Sequence, residues 1–319
     1  MEPILIWIIV FVVSLIALIK SSDYFTNSAE KIGLFFKLPK FIIGVTIVAI
    51  GTSLPELASS IYAVIIGNSE IVVGNVVGSN IANIFLVLGV AAIVGKRLKI
   101  THELLHVDIP FFVGSAFLLA VTIWDGSFGI ADAIISLFVI VVYSIYTIQS
   151  EKKPDPNIKK EMKSEIKKIK KFSWVTLVVL VVSAAFIFVS SRYVIESVIQ
   201  LSQLLNIGAE IIAVSAVALG TSLPELMVSL SAARNGKPEI AIGNVLGSNI
   251  FNSLAVMGIP AFFGTLVIPA NILAFSLPMM IIATLLYFFM TQIKVVTKWE
   301  GWLLLAFYVF FLGKLFNFF

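Results

Sequence analysis

Two carboxylates stand in identical apolar frames, Gly51-Thr52-Ser53-Leu54-Pro55-Glu56 and Gly220-Thr221-Ser222-Leu223-Pro224-Glu225. A second block follows each at the same distance: Gly74-Asn75 through Gly78-Ser79 to Asn83, and Gly243-Asn244 through Gly247-Ser248 to Asn252. Glu225 lies 169 residues beyond Glu56, and Asn252 lies 169 beyond Asn83, so the blocks align without a gap. The donor atoms on offer are carboxylate, hydroxyl, amide and backbone carbonyl oxygens. Such hard oxygens, with no cysteine in the chain, select Na⁺, Ca²⁺ or Mg²⁺ over soft metals, and Mg²⁺ is disfavoured because it gives up water reluctantly.

The prolines sharpen that expectation. Pro55 has no N–H for the carbonyl of Gly51, and its ring crowds that turn, so the helix is predicted to break there. Carbonyls around Ala49 to Thr52 would then turn toward a cavity, because lipid offers them no partner. Pro55 also suits the first turn of a new half-helix, which places Glu56 near a positive dipole end. The same reasoning covers Ala218 to Thr221, Pro224 and Glu225. On the next helix, Asn75, Ser79 and Asn83 recur every fourth residue and form one polar stripe, with Gly74 and Gly78 allowing close approach of a neighbour. Asn244, Ser248 and Asn252, with Gly243 and Gly247, repeat it.

The elements that carry these blocks belong to a membrane protein. The chain is 59% hydrophobic and only 13% charged, with a mean hydropathy of +1.06, well outside the range of soluble domains. Stretches long enough to span a bilayer fall near 3–20, 41–66, 71–95, 107–123, 130–149, 173–191, 210–233, 239–263, 269–290 and 301–318. The first and sixth continue toward Phe35 and Leu205. The predicted fold is all-α: ten transmembrane helices in two five-helix repeats, 1–150 and 173–319, joined by a linker at 151–172. The repeated motifs occupy 42–89 and 211–258. The start Met1-Glu2-Pro3 lacks the basic region of a cleavable signal peptide.

All of the 22 Lys and Arg except Arg192 and Lys314 fall on one side of this arrangement. The positive-inside rule therefore predicts a cytoplasmic linker and both termini outside. Five spans per repeat force the halves into opposite orientations, an inverted repeat of the kind that places a binding site at the bilayer midplane. The pI near 9.1 thus reflects helix orientation and implies no nucleic-acid partner. The lysine-rich linker is predicted to be a solvated tether with weak attraction for anionic lipid.

Other readings compete for single residues. Ser, Thr and Asn inside spans also serve as hydrogen-bonding glue between helices. A carboxylate at the bilayer centre costs roughly 2.5–3.5 kcal/mol on insertion scales, and packing does not explain incurring that twice at matched positions. His102-Glu103-Leu-Leu-His106 has the pattern of a zinc hydrolase, and Asp125 could be imagined as a third ligand. That intramembrane-protease reading leaves the glutamates unexplained, and residues 271–275 of the second half carry no trace of the motif. A passive cation pore is a third reading; inverted repeats with broken helices favour alternating access instead.

At the two pairs of motifs the chain resembles the cation/calcium exchanger superfamily, most closely its sodium/calcium exchanger branch, and the likeness extends over nearly the whole chain. The resemblance implies secondary antiport, with Ca²⁺ moving one way as Na⁺ or H⁺ moves the other, no enzymatic activity and no bound cofactor. A monomer in the cell membrane is expected, with metal ions and the lipid bilayer as its partners. It further implies Ca²⁺ ligation by Glu56, Glu225 and the carbonyls of Thr52 and Thr221. Monovalent sites would use Ala49, Ser53 and Ser248 on one side, and Ala218, Ser222 and Ser79 on the other, supported by Asn83 and Asn252. The first and sixth helices, carrying Asp23 and Arg192, would slide against the rest. Exchangers of this branch typically carry Asp where this chain has Asn252, so two formal charges stand where three are usual, and proton-coupled or K⁺-dependent exchange is the alternative.

Overall fold

A computed structural model describes residues 2–100, 108–150, 174–204 and 222–315, and these are mostly helical. Helix α1 spans Glu2–Phe35. Helix α2 covers Lys40–Ile65 and α3 Glu70–Gly95. Then come strand β1 (Arg97–Lys99), α4 (Asp108–Thr122), β2 (Ser127–Phe128) and α5 (Ile130–Ser150). Beyond the linker lie α6 (Trp174–Leu204) and α7 (Leu223–Arg234), then α8 (Pro238–Phe262) and β3 (Leu266–Val267). Helix α9 (Ile272–Thr291), β4 (Val295–Thr297) and α10 (Lys298–Leu315) complete the order.

Seven of these helices, α1, α2, α3, α5, α6, α8 and α9, are long and apolar enough to cross a bilayer. Their bounds follow the predicted spans to within a few residues. The extensions of α1 to Phe35 and of α6 to Leu204 also match expectation. The span predicted at 210–233 is described only from Leu223 on, and the linker 151–172 lies outside the described residues.

Exposed Leu5, Ile6, Ile9 and Val13 on α1, and Val175, Val178 and Val181 on α6, present an apolar exterior, which only lipid makes favourable over such a length. Exposed Trp124, Trp174 and Trp299 sit at helix ends, where amphipathic indoles prefer the membrane interface. α1 and α6 lie against each other along much of their length, outside a core built from α2, α3, α7 and α8.

That core is unusually close-packed at one crossing. A Cβ on Gly243 would lie 2.4 Å from the carbonyl oxygen of Phe41, and one on Gly247 would lie 2.3 Å from that of Val45. The glycines expected to admit a neighbour thus bring the backbone of α8 against the start of α2. The wide turn that meets them is π-helical, Gly44–Val48. Two more π-helical stretches open at Asn83 (to Leu88) and Asn252 (to Val256), at the 169-residue offset.

Two short antiparallel pairings cap the helices. β1 pairs with β4, setting Arg97 opposite Thr297 and Lys99 opposite Val295. β2 pairs with β3, setting Ser127 opposite Val267. Each therefore joins a strand from before the linker to one from after it.

Candidate functional site

The site begins where α2 passes Pro55. The predicted break does not occur in the first half: the helix runs unbroken from Ala49 to Ile65 with Pro55 inside it. One missing N–H and one crowded turn are tolerated when the neighbouring helices hold the segment, and the local widening is displaced upstream to Gly44–Val48. The hydroxyl of Thr52 meets the carbonyls of Val48 and Ala49, at 3.2 Å each. In the second half Pro224 stands at the opening of the described helix, as expected, while residues 205–221 lie outside the described residues. Helix α7 opens at Leu223 with Pro224 and Glu225 in its first turn, so Glu225 sits at the positive end of the helix dipole. Ser222 precedes it as the cap residue, buried, and its carbonyl accepts from the Leu226 N–H at 2.9 Å.

Glu56 and Glu225 are 2% and 1% exposed. Ser53 Oγ donates to Glu225 Oε1 at 3.2 Å. Neither oxygen of Glu56, nor Oε2 of Glu225, has a hydrogen-bond partner among the described residues. A carboxylate taken out of water without a partner costs several kcal/mol, so this pair calls for a cation or a proton.

Around the pair, matched polar contacts recur in both halves. Asn75 Nδ2 donates to Ser60 Oγ at 3.2 Å, and Asn244 Nδ2 donates to Ser229 Oγ at 2.9 Å. Ser79 Oγ donates to Asn75 Oδ1 at 3.4 Å, and Ser248 Oγ to Asn244 Oδ1 at 3.5 Å. Thr52 Oγ1 also reaches Asn244 Oδ1 at 3.3 Å, joining α2 to α8. The amides of Asn83 and Asn252 are buried at the two π-helical openings with neither polar atom partnered among the described residues. Ala49 is fully buried near the Gly247 crossing.

Of the predicted site residues, hydrogen bonds directly connect Ser53 to Glu225 and Thr52, through Asn244, to Ser248. Ser79 joins the matching cluster of the first half. Ala218 and Thr221 lie outside the described residues, as do His102, Glu103 and His106. Asp125, the imagined third zinc ligand, is exposed, and its Oδ1 accepts from Ser127 N and Oγ at 3.1 and 3.3 Å, the work of a turn. No cluster of three His, Cys, Asp or Glu occurs among the described residues.

Sequence reasoning missed five polar groups. Ser60 and Ser229 anchor the stripe asparagines, and Asn80 Nδ2 donates to Ser253 Oγ at 2.8 Å while Asn249 is buried without a partner. The 169-residue offset relates Ser60 to Ser229 and Asn80 to Asn249, so the repeat itself would have found them. Ser253 has Ile84 as its counterpart and gave no such signal.

A cavity of about 250 Å³ reaches Glu56 between α2 and α6; Ser59, Phe188, Ser191, Arg192 and Glu196 help to line it. Small-ion access to a buried acidic pair is what this geometry offers.

Known proteins share the arrangement. The structure superposes on the sodium-calcium exchanger NCX_Mj, solved after soaking with zero Na⁺ and Ca²⁺, with a TM-score of 0.81 at 29% identity, covering 98% of this chain and 99% of that one. Sodium/calcium exchanger MaX1 of Methanosarcina acetivorans is 35% identical over 97% of this chain and 98% of its own length. Putative antiporter CaxA of Alkalimonas amylolytica is 30% identical over 96% and 97%. The model of the family described as sodium/calcium exchanger protein matches residues 6–149 and 175–316, and the chain belongs to that family.

Proposed function

We propose that this protein is a membrane antiporter that exchanges Ca²⁺ for Na⁺ by alternating access. The observation that carries the reading is the pair Glu56 and Glu225, buried on two different helices with three of their four oxygens unpartnered among the described residues. Two carboxylates neutralise one Ca²⁺, and hydroxyl and carbonyl oxygens complete a shell of the six to eight ligands that this ion takes. In this reading Glu56, Glu225 and the carbonyls of Thr52 and Thr221 hold Ca²⁺. Ala49, Ser53 and Ser248, and Ala218, Ser222 and Ser79, hold Na⁺ on either side, with Asn83 and Asn252 in support.

The architecture proposed with it has ten spans in two inverted five-helix repeats, 1–150 and 173–319. Three features support this: the common offset of the π-helical openings, the matched Asn–Ser bonds, and strand pairings that each join one half to the other. The linker is assigned to the cytoplasm and the termini to the outside. A cysteine placed at Ser150 should then be shielded from impermeant reagents in right-side-out vesicles and one at Asn317 should react; the opposite pattern would reverse the orientation. The working unit is assigned as a monomer, to be checked by its mass in nanodiscs, where a stable dimer would refute the assignment.

The test of function is ⁴⁵Ca²⁺ uptake into proteoliposomes under an imposed Na⁺ gradient, with an imposed H⁺ gradient as the comparison. Uptake driven by Na⁺ supports the reading. Uptake driven by H⁺ alone would favour proton coupling instead, a reading that draws on the amide at Asn252. Uptake needing no counter-ion would indicate a pore.

A further inference from the structure

Helix α1 carries Asp23, Asn27 and Glu30 at a spacing that sets them on one face. That face meets the end of α7 and the turn into α8. Asp23 Oδ1 accepts from Ser231 Oγ at 2.5 Å and from Asn235 Nδ2 at 3.1 Å. Lys237 Nζ donates to Asn27 Oδ1 at 2.5 Å and pairs with Glu30 Oε2 at 2.7 Å. Lys40 approaches the other oxygen of Glu30 at 4.0 Å. The Lys237 and Glu30 side chains are only 12% and 17% exposed, so the pair is partly shielded from water and from salt.

This ladder is confined to one end of the molecule. Chain direction puts it at the end where α1 finishes and α2 begins. The cavity that reaches Glu56 lies toward the other end, where α2 finishes and Arg192 and Glu196 of α6 line the wall. The positions 169 residues on from Asp23, Asn27 and Glu30 are Arg192, Glu196 and Ile199, and those 169 before Ser231, Asn235 and Lys237 are Tyr62, Ile66 and Asn68. The repeat that duplicates the ion site does not duplicate the ladder.

We infer that Asp23, Asn27, Glu30 and Lys237 are positioning residues of the exchange cycle: they latch α1 to the second half of the chain and hold shut the lysine-rich end of the ion path. The inference rests on the proposed alternating access. Any cycle that opens this end must move α1 away from Lys237, so the ladder must break and remake once per turnover. Because the described residues of the opposite end show no equivalent, the latch biases the protein toward the conformation whose cavity opens there. None of these side chains touches the ions, and their removal should alter sidedness while the ligand set stays intact.

The test uses full-length protein in proteoliposomes of known orientation. Half-saturating Ca²⁺ is measured from each side for the parent, Glu30→Gln and Lys237→Gln. The ratio of the two values should shift by about fivefold toward tighter Ca²⁺ at the lysine-rich side, the scale expected for losing one partly shielded pair. The exchange Glu30→Lys with Lys237→Glu should return the ratio toward the parent value. Asn27→Ala, a milder change, provides the reading if a charge variant does not fold, and should shift the ratio in the same direction. An unchanged ratio in any active variant overturns the latch. Absence of Na⁺-driven flux in the parent protein would instead count against exchange itself.

Discussion

Ser53, in the first half of the chain, donates its hydroxyl hydrogen to Oε1 of Glu225 across 172 positions of sequence, at 3.2 Å. The bond crosses between the two copies of one motif, so a residue beside the first glutamate orients the second. Among the described residues, Glu225 is thereby held by one oxygen and unpartnered at the other, while Glu56 is unpartnered at both. The two acids are matched in sequence and unequal in restraint.

Removing either charge should disable exchange. Glu56→Gln and Glu225→Gln each take away one of two negative ligands, which costs a charge-assisted contact and about a tenfold to hundredfold loss in Ca²⁺ affinity. Both variants should stay folded in detergent, because an amide in either place is less costly to bury than an unpaired carboxylate. Near-normal Ca²⁺ flux in either variant would remove the proposed site.

Ser53→Ala tests the cross-motif bond. Losing one hydrogen bond to a buried carboxylate should raise half-saturating Ca²⁺ by about threefold to tenfold. If Ser53 also ligates Na⁺, the Na⁺ dependence should weaken in the same variant. A change in Ca²⁺ alone would restrict Ser53 to orienting Glu225.

In the proposed site, Asn252→Asp would add a third carboxylate to Glu56 and Glu225. Three like charges crowded into one buried site compete for every available cation, Na⁺ and protons included. Exchange should become more sensitive to Na⁺ concentration and to acidic pH than in the parent, measured as Ca²⁺ flux against Na⁺ at two pH values. Unchanged curves would place position 252 away from the ions.

Gly247→Ala probes the crossing of α8 and α2. The added methyl would sit 2.3 Å from the Val45 carbonyl oxygen and 2.7 Å from Ala49 Cβ, so the helices must separate, at a cost of about 1–3 kcal/mol. The unfolding midpoint in detergent should fall by several degrees. Gly114→Ala, on an exposed face of α4 with nothing described within 4 Å of the new methyl, serves as the control and should not lower it.

Much of this was legible in the residues. The duplicated glutamates, the glycine-flanked stripes and the lengths of α1 and α6 follow from spacing and hydropathy. The fate of Pro55 does not. One missing N–H weakens a helix, and whether it breaks is decided by neighbours that a local reading cannot see; the same proline context gives a continuous α2 and a fresh start at α7. The π-helical openings at Asn83 and Asn252 escape for a related reason, since an extra residue in a turn leaves no mark in composition. The bond from Ser231 to Asp23 spans 208 positions and has no counterpart in the other half, so the internal repeat gave no clue to it.

Where the α8 glycines meet α2, backbone touches backbone, with no flexible side chain between them to absorb a change in spacing. A frame without slack acts as a caliper: its jaws stay at one separation whichever ion enters. In the proposed monovalent site, which draws Ala49 and Ser53 from α2 and Ser248 from α8, an ion smaller than Na⁺ would have to pull the two helices closer than their backbones allow, or remain short of ligands. In that reading, selection by ionic radius there would rest on two residues that offer no side-chain atom at all, Gly243 and Gly247.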